Sequence, residues 1–150
     1  MFVFEVFLIG VFMRIQPRCS ESELAALKEM TAYMRAHVWE GRGHPVEHSL
    51  ALWQDLAYTL DEYTGGIDDY IYSLYSRNGL ENIIGKLPGH HSELLRRLVD
   101  EADEAFRKVT RDDGGQSLSE FLMPEESRGW WYSRRPNTGP LNAYLDAAVD

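Results

Sequence analysis

Apolar residues recur every three or four positions through most of the chain, which is the spacing of one buried helical face. The clearest stripe follows Pro45, a residue suited to a first helical position, and ends at Gly65-Gly66. It consists of Val46, Leu50, Trp53, Ala57 and Leu60. The same spacing predicts helices at 20–38, 45–63, 67–74, 83–87, 92–109 and 140–148.

Polar residues at the ends of these stripes predict where the helices begin and end. Ser20 with Glu23 fits a capping box, Ser92 is a candidate N-cap, and Asn78-Gly79 is typical of a helix end. Ser117 with Glu120 fits a second capping box before Phe121-Leu122-Met123, and residues 124–140 are expected to form an ordered loop. Beyond the N-terminus no segment alternates as a strand would. We therefore predict an all-α fold, a single compact bundle of about six helices.

The N-terminus differs from this pattern, because residues 2–13 are nearly all apolar. Twelve residues are too few to span a bilayer, nothing basic precedes them, and Glu5 interrupts them. Three interpretations remain: a strand or helix packed on the core, an upstream extension with Met13 as the natural start, or a degenerate signal or anchor. The expected organisation is an apolar N-terminal extension at 1–19 and a single helical domain at 20–150.

Composition places the chain among ordinary globular proteins. It has 150 residues, the length of one domain, with 44% hydrophobic and 26% charged residues. Its one cysteine, Cys19, excludes an internal disulfide and suits a reducing compartment, so we expect a cytoplasmic protein.

The net charge of −9 argues against direct binding to nucleic acid or to anionic membranes, and it permits a basic partner protein. Residues 61–126 hold fifteen acidic and seven basic residues, net −8. The unpaired acids of this region form two groups, Asp61, Glu62, Asp68 and Asp69, and then Asp112, Asp113, Glu120, Glu125 and Glu126. By contrast, the polar face of the helix at 92–109 mixes both signs, and we expect all of its charges, Asp103 included, to face solvent.

Candidate catalytic and metal-binding residues are few. His44 and His48 are four apart, but His44 precedes Pro45 and no third ligand is evident, so a surface helix start is favoured over a metal site. Cys19 lacks a base partner, and Asp112-Asp113 is typical of turn chemistry. An enzyme would need His37, Glu47, His48 and Asp55 to converge in one pocket. We expect no enzymatic activity, no metal and no cofactor.

Trp130-Trp131-Tyr132 lies in a predicted loop beside Arg128, Arg134 and Arg135. Tryptophan, tyrosine and arginine are enriched at binding hot spots, so Trp130 and Trp131 are candidate contacts for a partner or for a second copy in a homodimer. Packing over the end of the core is the alternative.

The segment from Glu62 to Ser73, Glu-Tyr-Thr-Gly-Gly-Ile-Asp-Asp-Tyr-Ile-Tyr-Ser, resembles the Asn-Gly-Gly-Phe-x-Gln-Tyr-Phe segment of a bacterial family of small helical domains. That family is named for DNA mimic protein nineteen. The glycine pair and Tyr70 match, whereas Thr64 and Asp69 replace the family's Asn and Gln. The similarity extends loosely over residues 45–148. It implies a helical bundle and, for at least one member, an acidic surface that mimics duplex DNA and sequesters a DNA-binding protein.

These observations predict a non-enzymatic acidic binding protein, a DNA mimic that sequesters a basic DNA-binding protein such as a regulator. The alternatives are an immunity protein that neutralises a toxin, and an uncharacterised enzyme.

Overall fold

The computed structural model describes residues 15–123 and 129–148. Its helices are α1 (Glu21–His37), α2 (Val46–Thr59), α3 (Ile67–Ile84), α4 (Gly89–Val109) and α5 (Pro140–Ala148). Two 3-10 helices span Leu60–Glu62 and Trp130–Ser133, and two short strands are β1 (Thr110–Asp112) and β2 (Arg134–Pro136). The predicted mainly helical fold is confirmed. The finer prediction was inexact, since these ranges hold five α-helices and a small sheet.

Some predictions fall on residues outside those ranges. They are the apolar stretch at 2–13 with its three interpretations, and the acidic residues Glu125 and Glu126. Among the residues that are described, no helix is both long enough and apolar enough to cross a membrane.

Helix α2 forms the centre of the core and packs against α1, α3 and α4. Its stripe residues Val46, Leu50, Trp53, Ala57 and Leu60 are each 2% exposed or less, as the spacing predicts. Helix α1 adds Leu27, Met30 and Met34 from one face. Its predicted capping box is confirmed, because Ser20 Oγ accepts from Glu23 N at 3.1 Å and Glu23 Oε1 accepts from Ser20 N at 2.9 Å.

Helix α3 corrects the predicted break at Asn78-Gly79, since it runs unbroken from Ile67 to Ile84. Glycine costs about 1 kcal/mol relative to alanine inside a helix. Burial of Leu74, Leu80 and Ile83 on the same helix outweighs that cost, because each buried aliphatic side chain contributes about 1.5–3 kcal/mol.

Helix α4 corrects two further predictions. It begins at Gly89, three residues before the predicted cap, and Ser92 Oγ instead donates to the Ile84 carbonyl at 2.8 Å. Asp103, predicted to face solvent, is only 3% exposed. It accepts hydrogen bonds from Arg77 on α3 and from Trp53 on α2, so it joins three helices through one buried carboxylate.

The two-stranded sheet was not predicted from sequence. Strands β1 and β2 are antiparallel, with Thr110 opposite Pro136 and Asp112 opposite Arg134. The predicted helix after Ser117 is absent, because the Asp113 carboxylate accepts from Gly115 N and Ser117 N and holds residues 113–117 in a turn. Strand β2 leads directly into the turn at 137–139 and then into α5, which packs back on β2.

Candidate functional site

Five exposed carboxylates surround the junction between α2 and α3. They belong to Asp55, Asp61, Glu62, Asp68 and Asp69, and we call them the junction patch. Four were predicted as one acidic group, and Asp55 was considered only as a member of an enzyme pocket. Among the described residues none of the five forms an ion pair, although Asp61 Oδ1 accepts from Thr138 Oγ1 at 3.2 Å. The patch therefore presents uncompensated negative charge.

Tyr63 lies where two of these carboxylates, from different helices, act on one hydroxyl. Burial raises the pKa of its phenol, and the charges of Asp69 and Asp55 raise it further. Asp55 lies near the end of α2 and Asp69 in the first turn of α3, so the fold brings both helices' acids toward the same hydroxyl. The Tyr63 ring lies directly over Gly65, where an added Cβ would fall 2.6 Å from the ring.

Asp112 and Asp113, from the second predicted acidic group, have a structural role. Asp112 accepts from Gly114 N at 2.8 Å, and Asp113 accepts from Gly115 N and Ser117 N at 2.9 and 3.0 Å. Burial acts to raise the pKa of Asp113, but these hydrogen bonds and the charge of Arg135 together lower it below its ordinary value. Glu120 is exposed.

Strand β2 connects the start of α3 with the second acidic group. Tyr70 Oη on α3 donates to the Arg134 carbonyl at 3.2 Å, and Arg134 stands opposite Asp112 in the sheet. Arg135 is 6% exposed and donates to Ser117, Asn142 and Asp146, which ties α5 to the 113–117 turn.

The aromatic candidates pack against the core. Trp131 is only 4% exposed, and the Arg77 guanidinium stacks on its ring at 4.3 Å. Trp130 is half-buried beside Phe106, and Arg107 stacks on it at 3.9 Å. Arg134 donates to Thr110 and to the carbonyl of Arg107 at the end of α4. These contacts fit the core-packing alternative, and we do not place Trp131 in an accessible surface.

A groove of about 460 Å³ borders the junction patch, between the start of α3 and the start of α5. Its lining is Gly65, Gly66, Ile67, Asp68, Asp69, Pro140, Leu141 and Tyr144. Gly139, with φ of +92°, lets the chain pass close to the Asp61 carbonyl, which an added Cβ would approach to 3.2 Å. This close approach sets α5 against the α2–α3 junction and so forms the groove. The sequence contained no signal for it, because its two sides are about seventy residues apart.

Of the residues of the enzyme hypothesis, Glu47 and His48 are adjacent and the charge of Glu47 acts on His48, whereas His37 and Asp55 have other contacts. Glu47 accepts from Thr31 Oγ1 at 2.9 Å, His37 stacks on Tyr33, and Asp55 belongs to the junction patch. His48 lines a small groove of about 180 Å³ with His44 and Tyr72, and burial together with the charge of His44 lowers its pKa. Across residues 15–123 and 129–148, no three His, Cys, Asp or Glu side chains are placed to hold a metal ion.

In the comparisons with known proteins, no family model matches the chain, and no curated protein or solved structure matches it. The resemblance at residues 62–73 to the family of DNA mimic protein nineteen therefore stays a prediction.

Proposed function

We propose that the chain is a non-enzymatic binding protein that presents the junction patch to a basic protein and occupies that partner's DNA-binding surface. The observation that carries the proposal is the set of five exposed carboxylates around the α2–α3 junction, none of which forms an ion pair among the described residues. Several other acids on the helices have arginine partners. Arg97 pairs with Glu23 and Glu101, Arg96 with Glu81, and Arg107 with Glu104.

Exposed carboxylates without counter-ions attract a cationic surface over roughly a Debye length, about 10 Å at 0.1 M salt. Such attraction speeds association and favours partners with clustered lysine and arginine, as DNA-binding proteins have. The proposal uses the first predicted acidic group, because Asp112 and Asp113 are engaged in a turn. It places the protein in the cytoplasm, where the unpaired Cys19 would stay reduced.

The test compares two variants that remove equal charge. The patch variant carries Asp61→Asn, Glu62→Gln, Asp68→Asn and Asp69→Asn. The control variant carries Glu21→Gln, Glu29→Gln, Glu40→Gln and Glu93→Gln, at exposed positions outside the patch. Each immobilised protein is offered a cell lysate, and every protein captured by the unaltered chain is identified, purified and assayed for binding to duplex DNA.

The expected partner binds the unaltered chain and the control variant, fails to bind the patch variant, and is released by duplex DNA. Raising the salt from about 0.1 M to about 1 M, which shortens the Debye length to about 3 Å, should also release it. A partner that the patch variant retains contradicts the proposal. A partner released by salt but not by duplex DNA would instead fit the alternative of an immunity protein bound to a toxin.

A further inference from the structure

The groove beside the junction patch combines features that a patch of charge alone lacks. Its volume of about 460 Å³ lies in the range of about 300–1,000 Å³ of sites that enclose a small group. Ile67 and the buried Leu141 give it an apolar floor, and Tyr144 offers a ring that is 49% exposed. Asp68 and Asp69 line it, and no basic side chain does.

We propose that this groove receives an arginine side chain of the partner protein, an inference that rests on the proposed function. The aliphatic stem would cover Ile67 and Leu141, and the guanidinium would stack on Tyr144 while pairing with Asp68 or Asp69. An arginine combines an apolar stem, a flat cation that stacks on aromatic rings, and paired donors that match a carboxylate. A lysine ammonium lacks the flat stacking surface.

The electrostatics of the groove favour a cation. The N-terminus of α3 carries roughly half a positive charge, which two carboxylates outweigh. Asp61 and Glu62 precede this segment in the chain and are exposed, so they add to the negative charge. The chain itself stacks arginine on aromatic rings elsewhere, with Arg107 over Trp130 at 3.9 Å and Arg18 over Tyr58 at 4.8 Å.

The surface around the groove extends its apolar character. Tyr144 contacts Phe121, with ring centroids 6.5 Å apart, and Met123, two positions after Phe121 in the chain, is 59% exposed. An apolar area rimmed by carboxylates is typical of a surface that binds another protein, with the buried anchor at its centre.

The probe is a blocked tripeptide, acetyl-Ala-Arg-Ala-amide, titrated into the ¹⁵N-labelled chain while amide chemical shifts are recorded. We expect saturable shifts at Gly65, Gly66, Ile67 and Tyr144, with a dissociation constant on the order of millimolar. The corresponding lysine and citrulline peptides should bind at least about fivefold more weakly, because lysine lacks the flat stacking cation and citrulline lacks the charge.

Two tyrosines of equal exposure give a matched pair of variants. Tyr144 and Tyr72 are both 49% exposed, and Tyr72 borders the histidine groove instead. Tyr144→Ala should weaken binding of the arginine peptide about tenfold, and Tyr72→Ala should leave it unchanged. Equal binding of the lysine and arginine peptides, shifts spread over all acidic surfaces, or an unaffected Tyr144→Ala variant would each overturn the inference.

Failure of this inference is distinguishable from failure of the proposed function. If the tripeptide does not occupy the groove but the patch variant still loses its partner, the charge-led binding stands and the arginine pocket does not. If the patch variant keeps its partner, the proposed function fails whatever the tripeptide does.

Discussion

Removing the buried carboxylate of Asp103 should destabilise the protein more than any surface change. Asp103 Oδ1 accepts from Arg77 Nε at 2.8 Å and from Trp53 Nε1 at 3.0 Å, and Oδ2 accepts from Arg77 Nη2 at 2.9 Å. Asp103→Ala would remove both hydrogen bonds that Asp103 accepts from Arg77, which is 2% exposed and would keep Glu81 at 3.4 Å, and would also remove the acceptor of the Trp53 indole N–H. Breaking such a buried pair costs about 3–5 kcal/mol.

A loss of that size is a large share of the total, since domains are stable by only about 5–15 kcal/mol. With a urea dependence of about 2 kcal/mol per molar, the unfolding midpoint should fall by roughly 2 M. The assay is urea unfolding at neutral pH followed by circular dichroism. Glu101→Gln serves as control, because Glu101 pairs with Arg97 on the surface and should contribute about 1 kcal/mol or less.

The decisive comparison is a double variant, Arg77→Met with Asp103→Leu. Replacing both charges with apolar side chains removes the unpaired cation and leaves only the Trp53 N–H without a partner, at about 1–3 kcal/mol. The double variant should therefore be more stable than either Asp103→Leu or Arg77→Met alone, which are the matching single variants. Single losses below about 1 kcal/mol, or a double loss equal to the sum of the singles, would refute the claim that a buried, coupled pair joins the three helices.

Two further predictions test the structure itself. Gly79→Ala should raise the unfolding free energy by about 0.5–1 kcal/mol, because Gly79 lies inside an unbroken α3 and an added Cβ would meet no heavy atom within 4 Å. A lower urea midpoint for this variant would instead support a helix break at Asn78-Gly79. Burial raises the pKa of both Tyr63 and Tyr70 in the folded protein, so the stability they contribute is fully present below about pH 10 and is lost as the pH rises beyond it. Urea midpoints measured toward alkaline pH should therefore fall more steeply in the unaltered chain than in Tyr63→Phe, and equal slopes would contradict the burial of this phenol.

Helical periodicity and capping residues predicted the helices correctly where these local signals were strong. The stripe from Val46 to Leu60 predicted a buried α2, and Ser20 with Glu23 predicted the capping box of α1. Both work because helical periodicity and capping involve residues within a few positions of each other. Signals of the same kind failed at Asn78-Gly79 and at Ser117, where burial across α3 and the Asp113 turn outweighed local preference.

Charge by itself predicted which acids to examine but not what each one does. The net charge of residues 61–126 led to two groups, of which Asp61, Glu62, Asp68 and Asp69 are exposed and unpaired among the described residues, while Asp112 and Asp113 hold a turn. Whether these groups bind a partner stays a prediction. A carboxylate's role depends on which cation or N–H the fold places beside it, and that partner is often distant in sequence.

The sequence by itself determined the helical character of this chain, the central stripe of its core and the acidity of its middle region. Helical periodicity depends on residues a few positions apart, and net charge is a sum over the residues of the segment. Only the tertiary structure decided that Asp103 lies buried against Arg77, that Arg135 ties α5 to the 113–117 turn, and that Tyr144 faces Asp68 and Asp69 across a groove. The residues in each of these arrangements lie between 11 and 76 positions apart. Side chains so far apart meet only when the helices pack, and packing is set by the whole core at once.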